Sequence, residues 1–155
     1  MAEEDFFTFR EYMKNEENSL TPSMEDYLEM IYRLSTESGF TRINDLASSL
    51  NVQPPSATKM VQKLSKLQLI NYEKYGVIIL KEKGIQIGMA LLTRHNIIEN
   101  FLKLIGVSRG ILEETEKIEH TIDRETLSCI NDLLNFFKDN PNVINDFRNY
   151  QKIKT

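Results

Sequence analysis

Apolar residues recur at helical spacing through Met24, Tyr27, Leu28, Ile31 and Leu34, and the stripe stops near Glu37 with Gly39 behind it. Ser23 stands where an N-cap belongs, with Pro22 before it and Asp26 three residues on, close to a capping box. A short amphipathic helix follows over Thr41–Leu50, then a tight turn at Asn51-Val52-Gln53, where Asn tolerates the left-handed backbone required. Pro54-Pro55 open a second helix reaching Leu67, since proline in a first turn removes no helical hydrogen bond. Small Ala47 and Ala57 let the two helices cross closely, with Val52, Met60, Val61 and Leu64 turned inward. That is a helix-turn-helix pattern. Leu69–Leu80 then alternates and is rich in β-branched and aromatic residues around Gly76, which predicts a β-hairpin wing.

From Glu82 a long helical pattern runs through Met89, Leu91, Leu92, Ile97, Ile98, Phe101, Leu102 and Ile105 to Gly106. Two more follow Gly110, over Ile111–Ile122 and Asp123–Lys138, and Pro141 restarts a last, polar helix toward Lys152. These helices are apolar on more than one face, which a small monomer cannot cover, so they predict self-association. The expected fold is mainly α. An N-terminal winged helix-turn-helix with a short β-hairpin wing spans 21–82, and an all-α dimerisation domain spans 83–155. Residues 1–20, with Phe6, Phe7, Phe9 and Tyr12 in a polar setting, form an extension expected to be a short helix or an adaptable arm.

Composition alters this picture in two respects. The chain has 155 residues, 41% hydrophobic and 27% charged, which is ordinary for a soluble globular protein. No apolar run approaches the roughly 18–20 residues a bilayer span needs, so no membrane partner is expected. An acidic start, Met1-Ala2-Glu3-Glu4-Asp5, argues against a leader peptide. One cysteine, Cys129, cannot form an internal disulfide and fits a reducing cytoplasm; its apolar neighbours predict a core position. The net charge of −4 is unevenly spread. Residues 1–20 carry six acids against Arg10 and Lys14, whereas residues 41–83 carry seven bases against Asp45, Glu73 and Glu82. A phosphate backbone responds to local charge, so an acidic whole does not exclude a basic face. The second helix of the pair presents Ser56, Thr58, Lys59, Gln62, Lys63 and Lys66 outward without one acid, and Lys74 and Tyr75 sit at the wing tip. Double-stranded DNA is the partner this face predicts, with Arg42 and Pro55 beside it.

Glu116, Glu119 and His120 share one face if Ile111–Ile122 is helical. Two carboxylates and an imidazole make a comb suited to a divalent metal. An isolated Glu-x-x-Glu-His is usually a solvated helix face, and a lone histidine on an apolar helix, such as His95, is usually a core residue. Asp26 and Glu29 on the first helix equally favour its N-terminus through the helix dipole. Spacing alone does not bring the six together. A dinuclear metallohydrolase would use the same side chains to activate water, although neither a cleft loop nor a separate general base is evident. A winged-helix regulator answering to an organic ligand, its acids merely solvated, is a third reading.

Thr21-Pro-Ser-Met-Glu-Asp-Tyr-Leu-Glu29, Thr58-Lys-Met-Val-Gln-Lys-Leu64, Tyr72-Glu-Lys-Tyr75, Arg94-His95 and Ile118-Glu-His120 occur in order over residues 21–140. In this the chain resembles the diphtheria toxin repressor family, and within it the manganese-responsive branch. The resemblance implies that Asp26, Glu29, His95, Glu116, Glu119 and His120 are metal ligands. It implies no enzyme and no small organic substrate, but a cytoplasmic, homodimeric repressor that binds operator DNA when loaded with metal. Four carboxylates and two imidazoles without sulfur suit Mn²⁺. Because carboxylates bridge, two Mn²⁺ ions per subunit are expected; an iron-responsive relative, with sulfur where this chain has Asp26 and Glu119, is the nearest alternative. Some features depart from the family pattern. The turn Gln53-Pro54-Pro55-Ser56 has no histidine, the wing tip Lys74-Tyr75-Gly76 lacks an arginine, and Thr121 follows His120 where relatives can have a second histidine. The acidic residues 1–20 have no counterpart, and the SH3-like domain of the iron regulators is not expected in so short a chain.

Overall fold

The computed structural model describes residues 20–153, so the expected arm of residues 1–20 lies, but for Leu20, outside the described residues. In order come α1 (Pro22–Ser35), β1 (Thr41–Arg42), α2 (Ile43–Leu50), α3 (Pro54–Lys66) and β2 (Ile70–Tyr72). A 3₁₀ turn (Lys74–Gly76), β3 (Val77–Leu80), α4 (Glu82–Leu104), α5 (Ile111–Glu119), α6 (Arg124–Asp139) and α7 (Pro141–Ile153) complete it. The chain divides into two compact units, one ending at Thr93 and one beginning at Arg94.

In the first unit, α1 is capped by Thr21 rather than Ser23. The Thr21 hydroxyl accepts the Met24 N–H at 3.2 Å. Pro22 takes the first helical position, where its missing N–H is no loss, and so fixes the cap one residue before it. Tyr27, Leu28 and Ile31 turn inward to meet Ile43, Leu46 and Ala47 of α2 and Ala57, Val61 and Leu64 of α3. Each fully buried leucine or isoleucine contributes about 1.5–3 kcal/mol. Asn51 adopts the left-handed conformation expected of it (φ 54°, ψ 46°), and its N–H returns to the Ala47 and Ser48 carbonyls.

The sheet holds one strand that hydropathy did not predict. β3 is central, with antiparallel β2 on one side and β1 on the other. Ile70 faces Leu80 and Tyr72 faces Ile78, while Thr41 faces Ile78 and Arg42 faces Val77. The residues Thr41–Arg42, read above as the start of a helix, are therefore strand. Two residues are too few to reveal alternation, and their pairing partner lies far along the chain. At the wing tip, Tyr75 (φ 62°) and Gly76 (φ 72°) both take positive φ, which reverses the chain. The opening turns of α4 join this unit through Ile87 and Leu91. Gly84 and Gly88 permit the approach: a Cβ on Gly84 would meet the Leu69 carbonyl oxygen at 2.0 Å, and one on Gly88 the Tyr32 Cβ at 2.7 Å.

The second unit comprises the remaining turns of α4 with α5, α6 and α7. Ile97, Ile98, Leu102 and Leu127 are buried in it. Asp123 caps α6, its Oδ1 accepting the Thr126 N–H at 2.7 Å. That bond holds the Asp123 carboxyl below its ordinary pKa. Past the C-terminus of α4, Arg148 donates to the Lys103 carbonyl at 3.0 Å and Gln151 to the Ile105 carbonyl at 2.6 Å. Side chains of α7 thus add donors at this end of α4, where the Lys103 carbonyl also accepts the Gly106 N–H at 3.1 Å. Leu112, Phe136, Tyr150 and Ile153 are more than half exposed. Cys129, expected in the core, is exposed. It lies four and seven residues before Leu133 and Phe136, on the exposed stripe of α6, so its apolar neighbours do not enclose it. No helix among the described residues is long and apolar enough to cross a membrane.

Candidate metal centre and nucleic-acid interface

Three of the six proposed ligands meet inside the second unit. His95, on α4, is 4% exposed and Glu119, the last residue of α5, is 3% exposed. Their contact, His95 Nδ1 to Glu119 Oε2, is 2.9 Å. The other carboxylate oxygen, Oε1, lies 3.5 Å from Nε2 of His120, the residue that closes α5. One buried carboxylate thus serves two imidazoles, each of its oxygens facing a different ring. Burying a carboxylate is costly unless it is paired, and two nitrogen bases with one shared carboxylate form a donor set that fits a divalent cation.

Glu116 does not join them: it is exposed. On α5 the inward line passes through Thr115 and Glu119, both buried. Glu116 follows Thr115 by one residue, about 100° around the helix, which is enough to face solvent. The opposite side of α5 is occupied by Lys117, 3.2 Å from Glu113 and 3.0 Å from Glu114, and the two acids raise the lysine's pKa. On α1, Asp26 is exposed and Glu29 half-buried. Glu29 also pairs with Arg33 at 2.9 Å, one turn on.

Two residues at this centre were given no role from the sequence, although Arg94 stands in the Arg94-His95 motif. Glu99 places Oε2 3.6 Å from His95 Nε2 and holds Lys103 at 3.0 Å. Its signal was available, since His95 and Glu99 are four apart on one helix. Arg94, 4% exposed, directs Nη2 to Nδ1 of His120 at 3.3 Å. Nothing in its sequence position announced a buried cation.

The proposed DNA face lies in the first unit. Along α3, Pro55, Ser56, Lys59, Gln62, Lys63 and Lys66 are exposed while Ala57, Val61 and Leu64 are buried. Residues 56, 59, 63 and 66 follow helical spacing, so the lysines share one stripe. Thr58 is half-buried, and its hydroxyl donates to the Pro54 carbonyl at 3.0 Å. That hydroxyl retains acceptor capacity, but its proton is committed to the helix. The first turn of α3 contains no acid, leaving the positive end of the helix dipole unopposed. Arg42 is exposed in β1 with its guanidinium 6.0 Å from the Phe40 ring centre. Lys74 is exposed at the wing tip, and Tyr75 is 91% exposed.

Two family models match successive parts of the chain. Residues 19–78 match the family model of the iron dependent repressor N-terminal DNA binding domain. Residues 81–147 match that of the iron dependent repressor metal binding and dimerisation domain. An HTH-type transcriptional regulator MntR of Shouchella clausii is 47% identical over 133 residues, covering 85% of this chain and 93% of the relative. One from Geobacillus thermodenitrificans is 46% identical, covering 85% and 94%. The solved structure of the manganese regulator SloR is similar at a TM-score of 0.65 and 31% identity, over 76% of this chain. The match spans 55% of that longer solved chain. The chain belongs to the diphtheria toxin repressor family of iron-dependent-repressor-type transcriptional regulators, DNA-binding proteins and not enzymes.

Proposed function

We propose that this protein is a Mn²⁺-activated, homodimeric repressor of manganese-uptake genes, acting in the cytoplasm on double-stranded operator DNA. The observation that carries the reading is the buried Glu119 carboxylate shared between His95 and His120. Oxygen and imidazole donors suit Mn²⁺, although Zn²⁺ and Cu²⁺ gain more affinity from any such site, so geometry must supply selectivity. Two of the most similar relatives are named MntR, and SloR is a manganese regulator.

Asp26, Glu29 and Glu116 complete the proposed ligand set. A carboxylate whose two oxygens face separate imidazoles suits a bridge, which supports two Mn²⁺ ions per subunit. Bound divalent cations supply the positive charge that offsets repulsion among the four carboxylates. The residues of the chain do the rest. Asp26 and Glu29 belong to α1, which packs directly on the helix-turn-helix, whereas His95, Glu116, Glu119 and His120 belong to the dimerisation domain. Sharing ligands in this way couples the two domains, and carboxylates that repel one another leave them uncoupled. Coupled, the two winged domains of a dimer match successive major-groove half-sites, about 34–36 Å apart or a multiple of that. Ser56, Thr58 and Lys59 then stand nearest the bases, with Lys63 and Lys66 on phosphates.

A coupling of about 1–3 kcal/mol changes DNA affinity some 5–150-fold. A gel shift across a Mn²⁺ titration tests the proposal: wild type should retard operator DNA only with metal, and Glu119→Ala should lose that response. Equal retardation with and without Mn²⁺ in the wild type would refute it.

A further inference from the structure

Arg94 supplies a buried positive charge at a centre proposed to receive cations, and the reading above gives it no role. Its contact with His120 determines where that histidine keeps its proton. A guanidinium has five N–H donors and no acceptor, and it remains charged. At 3.3 Å from Arg94 Nη2, His120 Nδ1 is therefore the acceptor. In a neutral imidazole the proton then sits on Nε2, the nitrogen facing Glu119 Oε1 at 3.5 Å. His95 is arranged the opposite way. An ionised carboxylate only accepts, so His95 Nδ1, 2.9 Å from Glu119 Oε2, carries a proton. Glu119 accepts from both rings, from Nδ1 of His95 and from Nε2 of His120. The Nε2 of His95 faces Glu99 Oε2 at 3.6 Å. The single lone pair of His120 is already engaged by Arg94.

We propose that Arg94 is a built-in competitor for the metal: its guanidinium occupies the donor lone pair of His120 and must withdraw before that histidine can ligate. His120 first gives up a hydrogen bond to a cation and, to ligate through Nε2, moves its proton to Nδ1. Arg94 thereby sets the metal concentration at which the His120 position fills. This rests on the assignment of His120 as a ligand, and the test separates the two ideas.

The first measurement is a long-range ¹H–¹⁵N correlation spectrum of metal-free, full-length wild-type protein, which reads each tautomer directly. The proton should be on Nε2 in His120 and on Nδ1 in His95. A His120 proton on Nδ1 overturns the proposal without recourse to any variant, so a poorly folding Arg94 variant cannot shield it. The second is Mn²⁺ titration by calorimetry of wild type and Arg94→Gln. Removing a hydrogen bond worth about 1 kcal/mol should tighten the binding step that depends on His120 about fivefold or more, and the His120 tautomer should shift toward Nδ1–H. Unchanged or weaker binding in a folded Arg94→Gln overturns the competitor role. His120→Ala tests the underlying assignment: if it retains every wild-type binding step, His120 is no ligand and both ideas fall. If a step is lost while Arg94→Gln leaves affinity unchanged, only the Arg94 inference fails.

Discussion

Glu119 shows how much one carboxylate can determine. Buried at 3% exposure, it is stabilised by two imidazoles, so its removal leaves both rings without their shared partner. Gly84 is a second position where a single side chain decides the outcome. Adding one methyl group places Cβ 2.0 Å from the Leu69 carbonyl oxygen, a backbone atom that cannot turn aside. Gly84→Ala should cost at least the 1–3 kcal/mol typical of overpacking, read as a lower urea midpoint with unchanged slope. A midpoint equal to wild type would mean that α4 can move away from β2 freely. Thr21→Ala should cost about 0.5–2 kcal/mol through loss of the α1 cap, whereas Ser23→Ala, at a residue that does not cap, should leave the urea midpoint nearly unchanged.

Among the elements, α3 and α6 make the sharpest claims. If Lys59, Lys63 and Lys66 meet phosphates, each replacement by Ala should lower the slope of log K against log salt by about 0.9. A slope unchanged in the triple variant would place DNA elsewhere. For α6, the Thr126 N–H on Asp123 lowers the carboxyl's pKa in the folded state below its unfolded value near 3.8. A depressed acid contributes stability that is complete above the unfolded pKa and is lost as pH falls through the folded one. Asp123→Asn keeps a cap acceptor without the charge. Thermal melts should therefore show wild type ahead of this variant by a constant margin at neutral pH, shrinking below about pH 4. A margin that grows on acidification would reverse the sign and refute the assignment.

Across the whole molecule, self-association and metal binding are the observables. Phe136 is 51% exposed and Leu133 40%, on the domain whose family model includes dimerisation. Phe136→Asp should shift sedimentation from dimer toward monomer at micromolar concentration. Mn²⁺ at about 100 times its Kd should stabilise the native state by about 2.7 kcal/mol, and chelation should reverse this in a thermal melt. No difference between loaded and chelated protein would argue against the metal centre.

Periodicity alone determined most of the helices, the Asn51 turn and the β-hairpin wing, because helix and strand have distinct repeats and Asn and Pro mark their ends. Ordered motifs determined the family, since their residues need only be present in sequence. Tertiary structure decided what depends on contacts distant in sequence. β1 exists through its pairing with β3, Thr21 caps because Pro22 sets the first turn, and Cys129 is exposed because its stripe faces away from Leu127. Which members of the comb turn inward was also a tertiary matter: Glu119 is buried and Glu116 is not, a difference that spacing along one helix cannot supply. The same reason hid Arg94 and Glu99, whose significance lies in which imidazole nitrogen each faces, a relation set by the packing of α4 with α5.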